Sequence, residues 1–453
     1  MNDAKSSHVR WFLVFWLFIL SSVAFLDRVN IAIAGASIAA AYHFSNVQLG
    51  WVFSSFLIGY ALFQTVGGWL ADRLGPRRVL TAGVIWWGIF TALTAALPLG
   101  VANALLLFVA IRFLFGAGEA VIFPASNQFV ARWIPVHERG LANGLIFAGV
   151  GVGAGLTPPL ITYIIVHHGW RSSFWVCALI GLVAGAVWFM AARDTPEEHS
   201  RVSASELGRI RAGLNISSRE EESSPHQKAL DTFVPWRIVL KSKEVWALTV
   251  SYFCYGYMAW IFFSWFYIYL AQVRELNLKA SAWYAMLPFL AMAVCSPLGG
   301  LVSDRLTRTR GPRIGRCVLA ASAIAVAAIF IAFGSQVHSA RVASLILAGG
   351  AGALYVSQSS FWSVSADIAG PSSGSVSGFM NMGAQIGGAV TASLTPAIAS
   401  WFGWTASFLV AAGLCVLGAA AWLLVDPRRI LTPSSNSFQH GTAVTALPAE
   451  TEY

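Results

Sequence analysis

Twelve separate apolar runs, each about as long as a bilayer is thick, restrict this chain more than any other feature. A helix rises about 1.5 Å per residue, so about 20 apolar residues cross a hydrocarbon core of roughly 30 Å. Runs of this kind fall near 11–34, 48–70, 79–97, 102–127, 140–166, 173–192, 246–271, 281–303, 317–336, 341–365, 375–400 and 404–425. Hydrophobic residues make up 57% of the chain and charged ones only 11%, against roughly 25% charged in an average soluble domain. One water-facing globule cannot bury so much apolar surface. The 41 glycines, 19 tryptophans and 30 phenylalanines suit close helix packing and interfacial aromatic belts rather than the alternating pattern of a β-barrel. The expected fold is all-α and integral to the membrane, with twelve transmembrane helices. The polar lead before Trp11 looks like the start of a signal peptide, but the apolar run continues past Arg28 to about Ala40 without a small-residue cleavage site. It reads as a permanent first helix.

A polar stretch, residues 193–243, divides the runs six and six. It carries Glu220, Glu221 and Glu222, followed by Ser223, Ser224 and Pro225, the composition of an interdomain linker with short surface helices. The expected organisation is an N-terminal six-helix bundle over 1–192, a cytoplasmic linker over 193–243, a C-terminal six-helix bundle over 244–426 and a flexible tail over 427–453. The net charge of +9 would suit a nucleic-acid partner, but the basic residues lie in short loops between apolar runs. Loop parity explains them better. The termini and even-numbered loops hold 23 of the 29 Lys and Arg, whereas the odd-numbered loops hold only Arg171, Arg274, Lys279 and Arg341. The positive-inside rule then places both termini in the cytoplasm of a cell whose inner membrane the chain crosses many times.

The end of the second run reads GGWLADRLGPRR (67–78), and the end of the eighth reads GGLVSDRLTRTRGPR (299–313). Gly67, Gly68, Asp72, Arg73 and Leu74 recur at a constant offset as Gly299, Gly300, Asp304, Arg305 and Leu306. The fifth and eleventh runs echo each other through glycine-rich stretches that end in LTP, at Leu156 to Pro158 and Leu394 to Pro396. The chain therefore reads as two related six-helix bundles, a transporter architecture. Asp72, Arg73, Arg77 and Arg78 lie at the cytoplasmic edge. An acid at one helix end can lock there against basic residues or a neighbouring helix N-terminus, and release in another state. Gly68 and Gly75 permit tight approach. The residues alone equally allow a positive-inside anchor.

An ionised side chain at bilayer depth costs about 3 kcal/mol or much more, so it faces a cavity or a partner. Asp27, Arg28, Arg112 and Glu119 are such residues, all in the N-terminal half. The C-terminal half offers neutral groups at this depth, among them Tyr255, Ser264, Gln358, Ser359, Asn381 and Gln385. Charge recognition is thus expected in one half, with hydrogen bonds and shape from the other. Arg112 and Glu119 share a helix face but stand about 10.5 Å apart along the axis, too far for a direct pair. Asp27, Arg28 or a bound anion must bridge them. Asp27 and Arg28 point about 100° apart, and Arg28 is the expected cavity residue because its fork can hold a carboxylate through two hydrogen bonds. Glu119 is the first choice for proton coupling: burial disfavours its charge and a neighbouring arginine favours it, so its proton occupancy follows the cavity's contents. Tyr60 and Gln64, one turn apart, and Asn381 and Ser359 from the other half could read a polyol chain, although such groups also glue membrane helices together. Trp260 and Trp265 could form an aromatic wall, or simply pack. The five cysteines are scattered without metal or disulfide spacing, and no metal or other cofactor is expected.

These residues resemble the major facilitator superfamily, through GGWLADRLGPRR above all. Within it the chain is similar to the anion:cation symporter family of hexuronate, galactonate and glucarate transporters, through FLDRVNIAIA (25–34), FSSFLIGYALFQ (53–64), IRFLFGAGEAVIFPASNQ (111–128) and WIPVHERG (133–140). The resemblance implies that Glu119 is protonated during transport with Asp27 and Arg112 as partners, that Arg28 lies near substrate, and that the 67–78 loop gates the cytoplasmic side. Two positions depart from galactonate-type members, which place a glutamine about where this chain has Val150 and a small hydroxyl about where it has Phe361. A less polar pocket is implied.

The expected protein is a secondary active transporter, not an enzyme, and works as a monomer. It would import a small organic anion of the sugar-acid class with protons by alternating access, with Arg28, Tyr60, Gln64, Asn381, Ser359, Ser264 and Trp265 around the substrate. Sodium is the alternative coupling ion, and export or exchange of organic anions or amphiphiles is the alternative traffic. A membrane enzyme would need a nucleophile, metal cluster or paired acids, and the sequence offers none.

Overall fold

The structure is a computed structural model that describes residues 7–214, 233–266, 269–273 and 278–431. The acidic cluster at Glu220 to Glu222 and the tail beyond 431 lie outside the described residues. Helices α1 (Val9–Tyr42), α2 (Asn46–Leu74), α3 (Pro76–Ala96), α4 (Ala104–Glu119, continued by Ile122–Trp133), α5 (Arg139–His168) and α6 (Trp170–Ala191) form the first bundle. A surface helix, α7 (Ala204–Gly213), belongs to the linker. The second bundle comprises α8 (Lys243–Ser264), α9 (Leu278–Arg310), α10 (Arg313–Gln336), α11 (Ala340–Val356, continued by Gln358–Ala369), α12 (Ser373–Phe402) and α13 (Trp404–Ala421).

Eleven stretches among the described residues are long and apolar enough to cross a membrane. One of them, Ala340–Phe402, has 63 residues, about 95 Å of helix and three hydrocarbon thicknesses. The chain reverses in its middle at Gly370, whose φ of 50° favours glycine. That turn separates α11 from α12 and gives twelve crossings.

Several helices outrun the predicted apolar cores. α1 extends to Tyr42 through the alanine-rich stretch 35–42, and α9 to Arg310, where polar residues continue the hydrogen-bond ladder beyond the hydrocarbon. α4 breaks at Ala120 and Val121. Pro124 lacks the N–H that would bond the Ala120 carbonyl, so the ladder is interrupted one turn upstream. This break lies next to Glu119.

Both bundles meet chiefly through α2 against α12 and α5 against α9. On the face that carries the described chain ends, these pairs approach backbone to backbone. A Cβ on Gly68 would overlap the Gly374 carbonyl, and one on Gly300 would overlap that of Gly140. Along α5 the approach persists at Gly144 and Gly151, which face α9, and has gone by Gly155, where nothing lies within 4 Å. The bundles therefore converge on the terminal face and diverge toward the opposite one.

The linker helix is bolted to the first bundle by a buried carboxylate. Glu206 is 0% exposed and accepts hydrogen bonds from the Val9 and Arg10 amides at 3.1 and 3.2 Å, from Arg10 Nη1 at 3.0 Å and from Ser7 Oγ. Arg10 also pairs with Glu138 at 3.1 Å. Burial pushes the Glu206 carboxyl up, but the donors from Ser7, Arg10 and Val9 more than offset it and hold it below the usual glutamate range. The stability this carboxylate contributes is thus full above the ordinary glutamate value and is lost as pH falls through the lowered one. Glu206→Gln at neutral pH, or acidification of the native chain through that lowered value, should release α7. Hydrogen exchange of the α7 amides, corrected for intrinsic pH dependence, should accelerate about 30-fold, the equivalent of about 2 kcal/mol.

Candidate functional site

A small cavity lies between the bundles near mid-membrane. Arg28, Tyr60 and Val150 line it from the first bundle, and Tyr255, Gln358, Asn381 and Gln385 from the second. α1 supplies Arg28 from its centre, and α4 supplies Glu119 from just before its break. Arg28 Nε donates to Glu119 Oε1 at 2.8 Å, with the acid 0% and the arginine 8% exposed at the side chain. Glu119 is therefore paired with Arg28 rather than with Arg112. Its guanidinium also lies over the rings of Tyr60 (4.1 Å) and Phe25 (4.7 Å), a cation–π sandwich that fixes the fork. Arg28 Nη2 and Glu119 Oε2 have no hydrogen-bond partner.

Asp27 and Arg112 sit behind this pair, off the cavity. Asp27 is 2% exposed, neither carboxylate oxygen has a hydrogen-bond partner, and its neighbours include Glu119, Arg112, Cys177 and Trp87. Arg112 is covered by the rings of Phe115 (4.4 Å) and Phe56 (5.0 Å). The buried cluster therefore holds two acids and two arginines, and among the described residues that line the cavity only Arg28 carries a charge.

The other expected substrate residues divide. Tyr60 and Asn381 line the cavity. Gln64 does not; its Oε1 accepts from Asn381 Nδ2 at 2.8 Å, a bond between the bundles. Ser359 is fully buried with an unpartnered hydroxyl away from the cavity lining. Ser264 and Trp265 also stand off, at the end of α8, where Trp265 packs near Trp404. Trp260, one turn earlier, does line the cavity.

Sequence reading missed most of the wall. Phe25, Phe123, Phe147, Tyr252, Phe263 and Tyr355 join Trp260 in it. The signal was present in α8, where Tyr252, Tyr255, Ala259, Trp260 and Phe263 recur at three- and four-residue steps on one helical face. Toward the terminal face, Phe123 stacks on Phe147 at 4.7 Å and Phe147 meets Trp362 at 5.0 Å. Toward the opposite face, Phe25 meets Phe263 at 5.8 Å.

Below the aromatic floor, the repeated loops close the terminal face. Asp72, 2% exposed, accepts from the Gly374 and Ser375 amides, both at 2.8 Å, and from Ser375 Oγ. It thereby caps the N-terminus of α12, where the helix dipole favours an anion. Asp304 does the same for α5, accepting from the amides of Gly140 (2.9 Å) and Leu141 (2.7 Å), and adds Arg316 at 2.9 Å. Arg139 spans the bundles to Asp367 at 2.6 Å. Of the two locks open to Asp72, the fold uses the helix N-terminus. Arg73 instead lies over Trp69 at 4.6 Å, Arg77 binds the Phe189 carbonyl at 2.9 Å, and Arg78 is exposed. Gly75 has a φ of 88° and leaves its Cβ space to Asp194.

Two helical bundles, locked together on one face around a buried, charge-balanced cavity, define a polytopic membrane transporter and not an enzyme. The chain belongs to the Major Facilitator Superfamily, whose sequence profile matches residues 17–389 and 363–448. It is 33% identical over 428 residues to the "Probable sulfoacetate transporter" of Cupriavidus necator, covering 94% of this chain and 95% of that one. It is 30% identical over 413 residues to the "Hexuronate transporter" of Bacillus subtilis, covering 90% and 92%. The fold matches that of the proton:xylose symporter XylE with a TM-score of 0.67 at 16% identity, over 93% of this chain and 97% of that one.

Proposed function

We propose that this protein imports a small organic anion together with protons, by alternating access around the Arg28 cavity. The observation that carries the reading is the Arg28–Glu119 bond at 2.8 Å. The arginine on the cavity wall is already neutralised by a buried acid. An incoming carboxylate can take the arginine only when Glu119 gives up its charge, that is, when it holds a proton, because a second buried anion would otherwise stand unpaired. Substrate and proton then favour each other's binding.

In this cycle Glu119 takes a proton from the non-terminal face and Arg28 turns its fork to the substrate. Asp27, the other buried acid, is the site for a second proton when the substrate carries two charges. The bundles rock, the Asp72 and Asp304 caps release, and the cargo leaves through the terminal face. The Lys and Arg bias supports a cytoplasmic side for that face. The names of the relatives support an anionic cargo, with sugar acids as the reference class.

The reading is tested by uptake of radiolabelled organic acids into proteoliposomes. An inward gradient of one pH unit should sustain up to about tenfold accumulation per coupled proton, since each unit is worth about 1.4 kcal/mol. Uptake of no organic acid under the gradient, or uptake that follows a sodium gradient alone, would overturn it.

A further inference from the structure

We infer that the cavity selects a flat, unsaturated or aromatic monocarboxylate with few hydroxyls over polyhydroxylated acids and dianions. This rests on the organic-anion reading above and narrows it. Three features of the cavity point the same way.

The first is charge. Arg28 alone among the described lining residues is charged, while Arg112 is shut behind Phe115 and Phe56. A second carboxylate or a sulfonate at the far end of a substrate would meet no cation and would be desolvated without compensation.

The second is hydrogen bonding. Every hydroxyl of a sugar acid brings one donor and two acceptor positions, and the cavity has few groups left to meet them. Asn381 Nδ2 is spent on Gln64. Gln358 Nε2 and Trp362 Nε1 are both spent on Tyr252 Oη, at 2.8 and 3.0 Å. Gln358 Oε1, Gln385 Oε1 and the Tyr60 and Tyr255 hydroxyls remain without partners, four polar groups in an otherwise aromatic wall, enough for one or two polar substituents on a ring and short of the three hydrogen-bonding positions that every hydroxyl of a polyol brings. Val150, 2% exposed, presents a hydrocarbon surface at the cavity from α5.

The third is shape. Phe123 and Phe147 stack with only 15° between their planes, and Tyr252 and Tyr255 stack at 5.1 Å and 21°. Phe25, Trp260 and Phe263 close the other side. Rings on both sides of a narrow space favour a flat partner, through offset stacking.

The test compares benzoate and 4-hydroxybenzoate with galactonate, glucarate and sulfoacetate on the purified full chain. The readouts are thermal stabilisation in detergent and competition for gradient-driven uptake in proteoliposomes. The aromatic acids should act at concentrations at least about tenfold lower than the polyhydroxylated ones, since even one stranded hydroxyl is worth about that factor. Val150→Gln, which supplies an amide at the wall, should narrow the gap. Stronger binding of glucarate, galactonate or sulfoacetate, with uptake still driven by the gradient, would overturn the narrowing alone. Gradient-driven uptake of no acid from either group would overturn the transport reading with it.

Discussion

Glu119→Gln is expected to abolish proton-driven accumulation while leaving counterflow exchange of substrate measurable. The substitution keeps the shape of the side chain and fixes it in the uncharged form, so Arg28 is permanently available to an anion and no proton is needed to free it. Binding should persist and lose its pH dependence; accumulation should fall to the equilibrium level set by the substrate gradient, at any imposed pH difference. The measurement is paired uptake and counterflow in the same proteoliposomes. Full accumulation in this variant would place coupling elsewhere, with Asp27 the next acid to examine by Asp27→Asn. Asp27 differs in position: it is buried without hydrogen bonds to its carboxylate and does not line the cavity. Its substitution should change the number of coupled protons before it changes substrate affinity.

Arg28→Ala should have the other large effect. It removes the only charged group among the described residues of the cavity wall and leaves Glu119 buried without its partner, an arrangement that costs about 3–5 kcal/mol unless the acid takes up a proton. Substrate affinity should fall by roughly 100-fold or more, in line with the loss of a charge-assisted bidentate contact. The melting temperature should fall too, and should recover in the Arg28→Ala/Glu119→Gln double variant, which removes both charges. Recovery of stability without recovery of binding distinguishes a substrate-binding arginine from a purely structural one. Arg28→Lys keeps the charge but loses the fork and the stacking on Tyr60 and Phe25, so about a tenfold loss of affinity is expected. A lysine variant as weak as the alanine one would indicate that geometry, not charge, dominates recognition.

The two predictions depend on features of unequal visibility in the sequence. The four charges at 27, 28, 112 and 119 stand out because bilayer depth makes each of them expensive, whatever the tertiary arrangement. Which of them pair is a matter of helix rotation and crossing. Arg112 and Glu119 lie two turns apart on one helix and look like natural companions, yet the packing of α1 against α4 gives Glu119 to Arg28. The Pro124 break follows from a residue legible in the sequence, but its value as a ledge for Glu119 appears only once α4 is placed. Ser359, Ser264 and Trp265 illustrate the opposite failing. A polar or aromatic side chain at membrane depth can face a cavity, a neighbouring helix or its own backbone, and periodicity does not say which. The aromatic wall went unread for a related reason: with so many aromatics in the chain, only the face of α8 that meets the other bundle distinguishes wall from packing.

The sequence by itself determined that this chain crosses a membrane about twelve times, that it is built from two related halves, and that the charged side chains at mid-membrane depth lie in one of them. Those conclusions depend on lengths, repeats and the cost of charge in hydrocarbon, which are local or additive. The tertiary structure alone decided that Asp72 and Asp304 each cap a helix of the opposite bundle, that the terminal face is the closed one, and that a neutralised arginine meets an aromatic cavity. Each of these is a relation between helices far apart in the chain. Such relations are set by backbone approach at Gly68 with Gly374 and at Gly140 with Gly300, where the fit of two surfaces, rather than the character of either residue, determines what touches.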